Sequence, residues 1–231
     1  TRGGHIGRMP VYARLADLPG PADYVVSCIP ARHTPDLLED CLAAGVKVVQ
    51  LYTAGFSELG PGEGAQLQRR LLDIAARGRM RLLGPNCMGV YCPRSGMSYS
   101  RDFPVEPGNV GLLCQSGGNA TYLVRAGAAR GLRFSKVISY GNACDIDECD
   151  ILEYLARDPE TAAIAAYIEG ASDGRRLARA LGRAVAAKPV VVYKGGRTEA
   201  GGRAAALHPG PPSARGRMIR TRQRRRLAIG R

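Results

Sequence analysis

The residues Gln115-Ser116-Gly117-Gly118 lie between a short apolar run and a helical pattern, and their types can bind an anion without a basic side chain. Val110, Leu112 and Leu113 read as a buried strand, Ser116 as a helix cap, and Tyr122, Leu123, Ala126 and Ala129 repeat at helical spacing. The start of such a helix presents unpaired backbone N–H groups and the positive end of a dipole, which suits phosphate. The two glycines remove side chains that would block close approach. The bland reading, a capped helix that opens a sheet unit and binds nothing, stands beside it, because a short Gly-rich turn is a weak motif.

Other chemistry-bearing residues are sparser. His5 and His33 have no context beyond the surface, and His208 sits in a loop rich in glycine and alanine, where a lone histidine is usually solvated. Seven cysteines, an odd number spread along the chain, read as reduced thiols. Cys87 with Cys92 and Cys144 with Cys149 raise a four-cysteine metal site, but their spacing is loose for one, and no metal is assigned. Asp145, Asp147, Glu148 and Asp150 cluster at a helix start, where the dipole favours acids.

The formal charge of +13 points to a polyanion, yet eight of those charges are arginines after Pro212, leaving the body mildly basic. A coenzyme suits that balance as well as nucleic acid does, and no nucleic-acid partner is assigned. No apolar run approaches the roughly 20 residues needed to span a bilayer, and the N-terminus lacks a signal-peptide core. The cytoplasm is the expected location.

The elements that must position these residues alternate regularly. Strands are predicted at 24–29, 47–52 and 81–83, with helices from Thr34-Pro35 and over 63–77 between them. The pattern fades after Gly84-Pro85-Asn86-Cys87 into a loop rich in Pro, Ser, Gly and Arg. It resumes with strands at 109–114, 134–139, 162–168 and 189–193, separated by helices at 118–130, 147–157 and 173–187. This is α/β architecture with parallel sheets, in which ligands sit beyond the carboxyl ends of the strands. The expected division is 1–103, 104–210 and a basic tail at 211–231.

Several of these turns, taken in order, resemble the α-type region of NDP-forming acyl-CoA synthetases, relatives of the succinyl-CoA synthetase α subunit. The likeness rests on IPA (29–31), YTAGF (52–56), LLGPNCMGV (82–90), NVGLLCQSGG (109–118), SYGNACDIDECDILEYLARDPET (139–161), YIEG (167–170), KPVVVYKGGRTEAG (188–201) and ALHPG (206–210). It implies a CoA-binding Rossmann-like domain, here incomplete, followed by a flavodoxin-like ligase domain. The implied reaction interconverts acyl-CoA, phosphate and NDP with acid, CoA and NTP through an acyl phosphate and a phosphohistidine.

The resemblance assigns His208 as the phosphoryl carrier, Glu169 as the carboxylate that orients it, and Ser116, Gly117, Gly118 and Asn119 as the phosphate site. Pro30, Ala54, Gly55, Asn86 and Cys87 fall on the turns that surround CoA in that family. ATP/ADP or GTP/GDP and Mg2+ belong to an ATP-grasp partner, and an oligomer is implied. Two departures accompany the likeness. The chain is expected to begin after the family's opening strand and Gly-rich turn, and the arginine-rich tail is expected to lie outside the native fold. The rival readings are a CoA-binding regulatory module, such as that of a protein lysine acetyltransferase, and a basic nucleic-acid binder.

Overall fold

The computed structural model describes residues 4–196 and 227–230. A hairpin of β1 (Gly4–Ile6) and β2 (Met9–Val11) comes first. Its exposed three-residue strands leave no apolar alternation, which is why the sequence shows no element there.

The first α/β unit runs β3 (Tyr24–Ser27), α1 (Thr34–Ala43), β4 (Val48–Leu51), α2 (Glu63–Arg77) and β5 (Arg81–Leu83). Its three strands pair in parallel in the order β3-β4-β5, as the spacing predicts. Leu38 and Cys41 of α1 and Leu71, Ile74 and Ala75 of α2 meet Val49, Leu51 and Leu82 of the sheet in one core. Helical positions three and four apart supply that buried face.

The second unit contains β7 (Val110–Cys114), α3 (Gly117–Ala128), β8 (Phe134–Ser139), α4 (Glu148–Arg157), β9 (Ala163–Ile168), α5 (Gly174–Ala187) and β10 (Val190–Lys194). With β6 (Gly89–Tyr91) and β11 (Leu227–Gly230) they form a six-stranded sheet ordered β11-β10-β9-β7-β8-β6. Alternation along β7 sends Leu112 and Cys114 to the core beneath α3, and Leu113 to the core beneath α4 and α5. The sheet is thus covered on both faces. Among β8, β7, β9, β10 and β11 the order is the flavodoxin-like one, with the chain reversing direction across the sheet between β7 and β9.

Two features differ from the sequence reading. β6 lies within the stretch assigned to the first domain, yet it pairs antiparallel with β8, so the second sheet claims it. Gly89–Tyr91 follows the Gly84–Cys87 turn with no helix between, so the strand–helix alternation that marks β5 does not reach it. Leu227–Gly230 pair in parallel with β10, so these four residues of the expected tail belong to the sheet.

The two units are joined along the backbone. The amides of Asn142, Cys144 and Ile146 donate to the carbonyls of Pro85, Gly84 and Leu82 at 2.9, 3.0 and 3.1 Å. Gly141 lies against the same segment, where a Cβ would stand 2.2 Å from the Pro85 oxygen. Arg81 adds an ion pair to Asp145 at 2.9 Å.

Candidate functional site

A cleft of about 500 Å³ opens at the carboxyl ends of β4, β7 and β9, where the strand order of the second sheet reverses. Ser116, Gly117 and Gly118 form one wall, Ala54, Asn86 and Cys87 another, and Glu169 lies beside them. Cys28, Tyr52, Thr53, Met88, Gln115, Gly141 and Asn142 complete the lining.

The wall after β7 has the geometry of an anion seat. Ser116 caps α3, its Oγ accepting the Asn119 N–H at 3.3 Å. The amides of Gly117 and Gly118, in the first turn, have no intrahelical acceptor. Gly117 is needed for packing, since a Cβ there would come within 2.6 Å of Met88 Cγ. A Cβ at Gly118 would meet nothing, because it would project into open space.

Glu169 is held from several sides. Gln115, almost wholly buried, accepts the Glu169 N–H at 2.8 Å and the Gly170 N–H at 3.1 Å on one oxygen. The Lys194 ammonium donates to the Glu169 carbonyl and, at 2.7 Å, to that of Gly195. The Tyr167 hydroxyl hydrogen-bonds the Glu169 side chain, and burial together with that carboxylate's charge pushes the phenol's pKa upward. Tyr167 in turn stacks on Tyr193 at 5.5 Å.

On the opposite wall Thr53 Oγ1 donates to the Ile29 carbonyl at 2.7 Å and the Thr53 carbonyl accepts the Asn86 N–H at 3.1 Å. Asn86 adopts a left-handed φ of 57°, a conformation that asparagine tolerates. Cys87 is buried, its Sγ directed at the carbonyls of Leu51 and Leu83, and burial pushes its thiol up to about 12. Burial likewise pushes the Cys114 thiol up to about 12, and its Sγ donates to the Ser116 carbonyl at 3.0 Å. Neither is a thiolate near neutral pH.

Of the residues singled out in the sequence, Ser116, Gly117, Gly118, Glu169, Ala54, Asn86 and Cys87 therefore share one cleft. Pro30, Gly55 and Asn119 do not line it. Pro30 precedes the single turn Ala31–His33, Gly55 gives its amide to Glu58, and Asn119 gives its amide to Ser116. His208 lies outside the described residues. Gln115, Asn142 and Tyr167 were missed as site residues. The first two sit within turns that the sequence marks, and Tyr167 opens the YIEG stretch quoted above, which assigned it no role.

Among the described residues, Asp147, Glu148 and Cys149 bring three possible metal-ligating atoms within 4.8 Å of one another. They fit Mg2+ poorly. Asp147 accepts the Cys149 and Asp150 amides as the α4 cap and pairs with Arg176, and Cys149 offers sulfur, which Mg2+ disfavours. Burial raises the Glu148 carboxyl to about 7.

The fold and cleft define a class of chain in which a CoA-binding type unit is followed by a flavodoxin-like ligase unit. Two family models match accordingly, a CoA binding domain over residues 1–93 and a succinyl-CoA ligase like flavodoxin domain over residues 107–226. The chain belongs to the family of NDP-forming acyl-CoA synthetases.

The chain is 38% identical over 199 residues to the acetate–CoA ligase (ADP-forming) II α subunit of Pyrococcus furiosus, covering 86% of this chain and 43% of that protein. It is 38% identical over 203 residues to the acetate–CoA ligase (ADP-forming) I of Archaeoglobus fulgidus, covering 87% of this chain and 29% of that one. A solved structure, the dinucleotide-forming acetyl-coenzyme A synthetase 1 of Ca. Korarchaeum cryptofilum in complex with phosphate and ADP, superposes with a TM-score of 0.80. Its identity is 32%, covering 88% of this chain and 44% of that chain. The chain thus spans less than half the length of these relatives. Among the described residues no helix is long and apolar enough to cross a membrane.

Proposed function

We propose that the chain is the CoA-binding and phosphate-handling part of an NDP-forming acyl-CoA synthetase. The observation that supports this is the meeting of the amides after β7, the carboxylate after β9 and the small-residue turns after β4 and β5 around one cleft at the sheet's switch point. The cytoplasm, with its free CoA and nucleotides, is the setting we assign.

In this reading a phosphate oxygen attacks the thioester carbonyl of acyl-CoA. The carbon–sulfur bond breaks, CoA leaves as a thiol after taking a proton, and an acyl phosphate remains. An imidazole nitrogen of His208 then attacks phosphorus, the bond to the acyl oxygen breaks, and the acid leaves as its carboxylate. The Gly117 and Gly118 amides hold the phosphoryl oxygens as charge develops, a preorganised form of stabilisation. Glu169, fixed by Gln115 and Tyr167, holds the proton on the other ring nitrogen and keeps the attacking one neutral. Asn86 and the turn at Ala54 line the approach of CoA. ATP/ADP or GTP/GDP and Mg2+ are assigned to an ATP-grasp partner, since the acidic cluster at Asp147 is occupied by capping and by Arg176.

The test is to incubate the chain with acetyl-CoA and radiolabelled inorganic phosphate, and separately with labelled ATP and an ATP-grasp subunit. An acid-labile, base-stable label that disappears in H208Q is expected. Absence of label under both conditions overturns the reading.

A further inference from the structure

Asn142, almost wholly buried, reaches from the second unit into the first. Its Nδ2 donates to Oε2 of Glu58 and, at 3.4 Å, to Oε1 of Gln68. The other Glu58 oxygen accepts the Gly55 N–H and, at 3.1 Å, the Phe56 N–H. Ser57 Oγ donates to the same Gln68 oxygen at 2.8 Å. Gly64 of α2 permits this packing, since a Cβ there would stand 2.4 Å from the Phe56 oxygen. One carboxylate therefore grips the turn after β4 by its amides and the loop after β8 by a carboxamide. Those two segments carry Ala54 and Gly141, both of which line the cleft.

We infer that Glu58 is a positioning residue that fixes the CoA-side turn after β4 against the loop after β8, acting through Asn142. The inference rests on the reading of the cleft given above and adds to it a residue outside the lining. A carboxylate only accepts hydrogen bonds and a carboxamide does both. The polarity of the pair is therefore fixed: the acceptor at 58 faces two amides and a donor at 142. A carboxylate that served only its own turn would be indifferent to what stands at 142.

The polarity supplies the test. N142D sets two carboxylates against each other, whereas the exchange E58Q/N142D restores the bond. The new carboxamide at 58 takes the Gly55 and Phe56 amides on its oxygen and donates from its nitrogen to the new carboxylate at 142. Hydrogen exchange of the Gly55 and Phe56 amides is measured in the full chain for wild type, N142D and E58Q/N142D, with calorimetric titration of CoA on the same three proteins.

N142D is expected to speed exchange about tenfold and to weaken CoA binding by a similar factor, and the double exchange is expected to recover both to within about threefold. If N142D fails to fold while E58Q/N142D folds, that is the same rescue in another readout. Exchange that is unaltered in N142D, or not recovered in the double variant, overturns the inference. Exchange that responds while CoA affinity stays constant reduces Glu58 to a structural tie and overturns its positioning role. A wild-type chain that does not bind CoA counts against the function proposed above, and the exchange comparison, which needs no ligand, then decides the pairing alone.

Discussion

Gln115 and Glu169, 54 residues apart in sequence, are joined by a 2.8 Å hydrogen bond from the Glu169 amide to the Gln115 Oε1. The same oxygen takes the Gly170 amide, so the turn that carries the candidate carboxylate is tied to the turn that carries the anion seat. Replacing Gln115 with leucine leaves two amides without their acceptor. The expected loss is about 2 kcal/mol of stability, read from urea unfolding, together with weaker phosphate binding. Unchanged stability would show that water replaces the side chain at no cost.

The two glycines of the seat should separate under alanine substitution. G117A drives a Cβ toward Met88 and should cost roughly 1–3 kcal/mol in stability. G118A meets no atom and should melt like wild type, while its methyl group, on a residue that lines the cleft, weakens binding of inorganic phosphate. Thermal melting and a phosphate titration of both variants check the contrast.

E169Q should leave the melting temperature within a few degrees of wild type. It should slow labelling of His208 from acetyl-CoA and phosphate by on the order of a hundredfold, since a carboxamide no longer compensates an imidazolium. Rapid-quench labelling measures this. Labelling at the wild-type rate would remove Glu169 from the proposed chemistry.

Glu148 gives a pH signature. Burial raises its carboxyl from an ordinary 4.5 to about 7, so the folded chain keeps it protonated after the unfolded chain has ionised. Its contribution is therefore most favourable below about pH 4.5 and is lost as pH rises from there to about 7. E148Q, which cannot ionise, should gain stability relative to wild type across that window, by on the order of 2 kcal/mol at pH 7. Denaturant unfolding of both proteins at pH 5 and pH 7 tests it, and a constant difference between them would refute the assignment.

The parts of the fold with a local period were legible in the sequence. Val110, Leu112 and Leu113 announced β7, and the regular spacing of strands and helices announced two parallel units. The turn at Ser116 to Gly118 was legible because glycine and a cap residue leave a signature at one place in the chain. β6 was not, since its partner β8 lies far along the chain and no helix separates it from β5 to continue the alternation. The contacts of Gln115 and Asn142 were hidden for a related reason. A buried amide declares its partner only when the two loops meet, and nothing within a few residues of Asn142 indicates Glu58 or Gln68.

The backbone bonds between residues 82–86 and 142–146 bear on how such a molecule is rebuilt. A hybrid that takes its front portion from one homologue and its rear portion from another, spliced near residue 103, would sever sequence from structure, because β6 and the Gly84–Met88 segment would arrive with the front while completing the rear. Grafts cut at the end of β5 leave that strand with its partner β4 while Gly84 to Tyr91 travels alongside the loop at Gly141, which keeps most of these interlocking pieces from the same parent.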